Sequence, residues 1–108
     1  QDEYFMDTYP NEYMLYSLIV KPHQRKKLGA ITHKDFSCRI QTVNKELHPE
    51  VTTLLQKYNE ETDCPVLLNT SFNDNGQPIV ETPKHALKTF ENIDLDYLVI
   101  GNYLVVKQ

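Results

Sequence analysis

Two prolines, each opening an apolar-periodic stretch, constrain the fold of this chain more than any other feature. Pro49 precedes Val51, Leu54, Leu55 and Tyr58, which fall at spacings i, i+3, i+4 and i+7. That is the stripe of an amphipathic helix, and its first turn tolerates proline because the N–H lost there has no intrahelical partner. Thr82-Pro83 repeats the device as an N-cap followed by a first-turn proline, with Ala86, Leu87 and Phe90 as the stripe. The first helix should end near Thr62-Asp63, before Cys64-Pro65 forces an extended backbone. The remaining apolar runs are short and β-prone. Tyr13 to Val20 reads as a moderately buried strand, and Ala30–His33 and Arg39–Val43 alternate like half-exposed strands. Val66-Leu67-Leu68 reads as a strand buried on both faces. Asp96–Ile100 and Tyr103–Val106 flank Gly101-Asn102, a pair suited to a tight hairpin. The order β-β-α-β-α-β-β predicts an α+β fold, a mixed β-sheet with two main helices packed on it. Residues 1–12 form an irregular lead-in, and residues 1–108 are expected to be one domain.

A chain of 108 residues supports one hydrophobic core. The formal charge of −4 argues against a nucleic-acid partner, because phosphate-backbone binding needs a concentrated basic face. No run approaches the apolar length of a bilayer span, so no membrane partner is expected. Cys38 and Cys64 lack the spacing of a disulfide framework or a metal motif, which suggests free thiols in a reducing, cytoplasmic setting. No His, Cys and carboxylate cluster has metal-ligand spacing.

Three segments could carry chemistry. Asn69-Thr70-Ser71-Phe72-Asn73 opens a polar loop directly after a predicted buried strand, where open α/β sheets place ligands. Ser71 and Asn73 offer neutral donors that suit a phosphate or carbonyl oxygen without burying another charge. A structural turn is the plainer explanation of that pattern alone. The second segment is His33-Lys34-Asp35 with Arg39, one of only two arginines, whose guanidinium could grip a phosphate or carboxylate bidentately. The third, Lys21-Pro22-His23-Gln24-Arg25-Lys26-Lys27, is a solvated connection or an anion-binding loop.

Taken in order, His33-x-Asp35-x-x-x-Arg39-x-Gln41-Thr42-Val43, Pro65-Val66-Leu67-Leu68-Asn69-Thr70-Ser71-Phe72-Asn73, Gly76-x-Pro78-Ile79-Val80, Thr82-Pro83-x-x-Ala86-Leu87 and Asp96-x-Leu98-Val99-Ile100-Gly101 form a specific series. It resembles the C-terminal domain of nodulation-type and antibiotic-biosynthetic O-carbamoyltransferases over about ninety residues, from near Tyr13 to Lys107. The resemblance implies a fold similar to the YrdC-like domain. It further implies a role in which ATP and carbamoyl phosphate yield a carbamoyl-adenylate, with magnesium as counter-ion to the ATP. A neighbouring Kae1-like, metal-containing domain then transfers the carbamoyl group to an acceptor hydroxyl. Matched residue by residue, it places Arg39, Ser71 and Asn73 on the carbamoyl and phosphate groups, with His33, Asp35, Asn69 and Thr70 as further substrate contacts.

The departures from that family pattern matter equally. A Lys-x-Arg-Glu element and an Arg-Pro-Phe-Ala-Pro stretch found upstream in the family do not occur here, so the chain alone is expected to be an inactive fragment whose Kae1-like N-terminal partner lies elsewhere. Phe36 stands where family members usually carry glycine, and its Cβ removes backbone conformations open to that residue. Apolar N-terminal surface left uncovered would favour a homodimer. The alternative function is a non-catalytic nucleotide- or anion-binding or structural interaction module.

Overall fold

The computed structural model describes residues 1–107 and divides into two compact units, residues 1–68 and residues 69–108. The α+β class predicted from the sequence is what the chain adopts, with two α-helices and short antiparallel strands. Where one mixed sheet was expected, the strands pair as two separate two-stranded sheets.

In the first unit, β1 (Ser17–Ile19) and β2 (Ser37–Arg39) pair antiparallel with Leu18 opposite Cys38 and Ser17 opposite Arg39. Because side chains alternate across a strand, Leu18 and Cys38 enter the core while Ser17 and Arg39 lie on the outer face. The core is Tyr4, Phe5, Leu18, Val20, Leu28, Cys38 and Ile40, with Ile31, Cys64 and Val66 against it. The lead-in is irregular as expected, but it is not idle. Tyr4 and Phe5 are buried, and Phe5 bridges to Val20.

Two of the four expected strands of this unit form: β1 is shorter than the Tyr13–Val20 run, and β2 shares only Arg39 with the expected Arg39–Val43 run, because Asn11 occupies the backbone groups beside both. Its side-chain amide donates to the carbonyls of Tyr16 and Ile40 at 2.7 and 3.0 Å, and its Oδ1 accepts from the backbone N–H of Leu15 at 2.8 Å. Its own N–H donates to Thr42 Oγ1 at 2.8 Å, and its carbonyl accepts from the Thr42 N–H at 3.2 Å. One buried asparagine thus takes the backbone groups that a longer ladder would have used. Ala30–His33 is likewise a turn rather than a strand, closed by Ile31 N–H and Thr32 Oγ1 donating to the Leu28 carbonyl.

Helix α1 spans Pro49–Thr62 and stops at Asp63, whose left-handed backbone (φ 54°) lets its N–H close on the Asn59 carbonyl. The start at proline and the stop before Pro65 agree with the sequence pattern, but no residue of α1 is buried and its stripe residues Val51, Leu54 and Tyr58 are exposed. Lys27 Nζ donates to the Asp63 carbonyl and pairs with its carboxylate at 3.3 Å, tying the helix end to the first loop. Val66-Leu67-Leu68 forms no strand. Only Val66 is half-buried, and no ladder partner exists for the run among the described residues.

In the second unit, α2 spans Pro83–Asn92 and is capped as predicted, with Thr82 Oγ1 accepting from the His85 N–H at 3.1 Å. Ala86, Thr89 and Phe90 are buried, and Lys107 Nζ lies 5.2 Å over the Phe90 ring while donating to the Ile93 carbonyl at the helix end. Strands β3 (Tyr97–Ile100) and β4 (Tyr103–Val106) form the expected hairpin, with Gly101 at φ 55° taking the first turn position.

Candidate functional site

The residues singled out from the sequence fall in both units. Arg39 ends β2 on its exposed face, and its guanidinium has no carboxylate or hydrogen-bond partner among the described residues. An unpaired guanidinium on an ordered strand is a ready contact for an oxyanion.

His33 and Asp35 are brought together through a residue the sequence did not flag. Ser37 Oγ donates to Asp35 Oδ1 at 2.7 Å, and the same carboxylate oxygen accepts from the Ser37 N–H at 3.0 Å. His33 Nδ1 lies 3.4 Å from Ser37 Oγ, and the His33 N–H donates to the Ser37 carbonyl at 2.8 Å. The Ser37 hydroxyl proton goes to Asp35, so in this contact the Ser37 oxygen can serve His33 Nδ1 only as an acceptor. The Ser37 hydrogen bonds, side chain first and then backbone, hold the Asp35 carboxyl below its usual range. The order Asp–Ser–His excludes a nucleophilic serine here, because the histidine does not receive the hydroxyl proton. The trio instead fixes a turn, leaving one Asp35 oxygen and His33 Nε2 available. A short Asp-x-Ser step is the signal that could have revealed it.

In the second unit, Thr70, Ser71, Phe72, Asn73, Asn75, Ile93 and Leu95 line an open cleft of about 560 Å³. Ser71 is exposed and its hydroxyl has no partner among the described residues. Asn73 differs from expectation. Its amide donates to the carbonyls of Asp74 and Gln77 at 3.0 and 3.2 Å, so its NH2 group is spent on closing the turn and its Oδ1 is what remains to offer. Val80 N–H donates to the Phe72 carbonyl at 3.0 Å, fixing the other end of the loop. Gly76 takes φ 76° at the turn, where a side chain would be strained. Asn69 precedes the cleft and is exposed. Ile93 and Leu95, which follow α2, supply apolar wall that no loop motif announces.

A polar turn over an apolar wall and a free arginine on a strand are the features that a family assignment must explain. The family model described as carbamoyltransferase C-terminus matches residues 1–107. The chain belongs to that family. It is 44% identical over 98 residues to the uncharacterized protein sll1178 of Synechocystis sp., covering 91% of this chain and 16% of that protein. It is 40% identical over 96 residues to the nodulation protein NolNO of Sinorhizobium fredii, covering 89% of this chain and 14% of that protein. It is 31% identical over 98 residues to a 3'-hydroxymethylcephem-O-carbamoyltransferase of Amycolatopsis lactamdurans, covering 91% of this chain and 18% of that enzyme. The chain therefore spans less than a fifth of the length of each of these three relatives. Among the described residues, no group of three His, Cys, Asp or Glu side chains could hold a metal ion, and no helix is long and apolar enough to cross a membrane.

Proposed function

We propose that this domain binds ATP and carbamoyl phosphate in a carbamoyltransferase and takes part in forming a carbamoyl-adenylate, which a separate domain then passes to an acceptor hydroxyl. One observation carries the proposal. In a chain of the carbamoyltransferase C-terminus family, the Thr70–Asn73 turn presents a partnerless Ser71 hydroxyl to a cleft whose volume, about 560 Å³, is that of a small-molecule site. Arg39 supplies positive charge to an oxyanion, while Ser71 orients a phosphate or carbamoyl oxygen without adding a group whose charge depends on pH. Asn73 contributes its Oδ1, an acceptor suited to the carbamoyl NH2 group, since its own amide hydrogens close the turn.

The chemistry needs several negative charges held together. Water hydrolyses carbamoyl phosphate, its oxygen going into the new carbamate or phosphate as the C–O–P bridge breaks and inorganic phosphate leaves. A carbamate oxygen then attacks the α-phosphorus of ATP, and pyrophosphate is expelled as the α–β phosphoanhydride bond breaks. The mixed anhydride so formed reacts readily with water, which is a reason to enclose it between domains. Magnesium belongs to this scheme as the counter-ion of the nucleotide. The described residues offer no carboxylate cage for it, so no step is assigned to a protein-bound metal. The proposal places the protein in the cytoplasm, where both substrates are made.

The test is carbamoyl-phosphate-dependent exchange of pyrophosphate into ATP by the intact protein. Arg39→Ala should lower the exchange rate by about a hundredfold and Ser71→Ala by about tenfold, the usual scale for a charged and a neutral transition-state contact. Wild-type rates in both variants would remove these residues from the mechanism.

A further inference from the structure

The cations of the loop that follows β1 are not equivalent. Lys21 Nζ donates to the Asp2 carbonyl and Lys27 is paired with Asp63, so both have local partners. Arg25 is held differently. Its Nε donates to the Val20 carbonyl at 3.3 Å, and its guanidinium carbon lies 3.7 Å from the centre of the Phe36 ring. Among the described residues, neither Nη nitrogen has a hydrogen-bond acceptor and no carboxylate comes within ion-pairing distance.

Phe36 itself is an outlier. It sits at φ 65°, a left-handed conformation that a bulky side chain rarely enters and that glycine adopts freely. Such strain persists only where the surroundings over-determine it, and it concentrates at functional sites. The surroundings here are explicit. The Phe36 N–H donates to the His33 carbonyl and the Phe36 carbonyl accepts from the Val20 N–H, both at 2.9 Å. Val20 is fully buried, so one core residue anchors the aromatic ring through its N–H and the guanidinium through its carbonyl. A stacked arginine with its Nε occupied has lost most of its rotamer freedom before any ligand arrives, and it keeps its Nη edge in fixed orientation. An exposed cation–π contact alone is a small return for a strained turn, since glycine would make that turn without strain.

We propose that Arg25 is a phosphoryl-oxyanion contact of this domain and that Phe36 is the residue that positions it. The Nη edge takes two phosphate oxygens side by side, and the ring holds the guanidinium plane for that purpose. The proposal rests on the nucleotide-binding role above for the source of the phosphate, which is ATP or its pyrophosphate product.

Calorimetric titration of the intact protein with inorganic pyrophosphate, and separately with ATP, tests it. Arg25→Gln should weaken pyrophosphate binding by about tenfold, the scale of a lost charge-assisted contact. Phe36→Gly should fold without strain yet weaken binding by about threefold, the scale of an exposed cation–π contact, while Phe36→Tyr keeps wild-type affinity. Pyrophosphate binding unchanged in Arg25→Gln but lost in Arg39→Ala would overturn the Arg25 proposal and leave the function standing. A lowered melting temperature in Phe36→Gly with unchanged affinity would make the stack structural and overturn its positioning role. A wild-type protein that takes up neither pyrophosphate nor ATP would end both proposals.

Discussion

The two units use their polar side chains differently. In the first, Asn11, Ser37 and the Asp35 carboxylate are matched with one another and with backbone, over a core that runs from Tyr4 to Ile40. In the second, Ser71 faces open space, and one face of the hairpin, formed by Tyr97, Val99, Leu104 and Val106, is exposed throughout. The contrast shows where each unit can spend its groups. A satisfied network fixes a backbone and leaves charges such as Arg25 and Arg39 at its margin. An unsatisfied turn offers its own donors to a ligand.

The comparison is most exposed at Asn11. Asn11→Ala removes acceptors and donors for at least three buried or partly buried backbone groups and should cost about 3 kcal/mol, read as a shift in urea midpoint. Leu18→Ala, in the same core at 2% exposure, should cost a similar ~3 kcal/mol through the cavity left behind. If either change costs less than about 1 kcal/mol, that group does not hold the first unit together.

A smaller effect is expected in the second unit. Thr82→Ala removes the cap of α2 and should cost about 1 kcal/mol, visible as faster amide exchange in the first helical turn. The pH response then sharpens the contrast. The Asp35 carboxyl is lowered in the folded state below its ordinary value of 3.8, so its contribution is fully present above that pH and is lost as pH falls below it through the folded value. Ser37→Ala should remove this acid-limb dependence, measured as melting temperature against pH. A variant that keeps the wild-type slope would show that the Ser37 hydrogen bonds do not hold the carboxylate. Smallest of all, Val99→Ala on the exposed hairpin face should change stability by no more than about 0.5 kcal/mol.

Much of the local structure was legible because local chemistry decides it. Pro49, Thr82-Pro83 and Pro65 set helix ends through missing N–H groups and restricted backbone, and Gly101 set the hairpin turn, all without reference to distant residues. The Asn69–Asn73 loop was legible for the same reason, as a cluster of turn formers, and its residues Thr70 to Asn73 line a cleft in which the Asn73 amide closes the turn. Pairing was not legible. Asn11 lies 29 residues from Ile40 and 31 from Thr42, and no sequence period announces that one side chain will end two strands.

The amino-acid order by itself determined the α+β class, both helices, the hairpin and the family series of motifs. Only the tertiary structure decided that the strands form two separate sheets, that Asn11 ties Tyr16 to Ile40, and that Arg25 lies over the ring of a strained Phe36. The physical reason is range. Caps and turns depend on backbone groups within a few residues, whereas hydrogen-bond satisfaction in a core depends on which distant groups burial brings within 3 Å of each other.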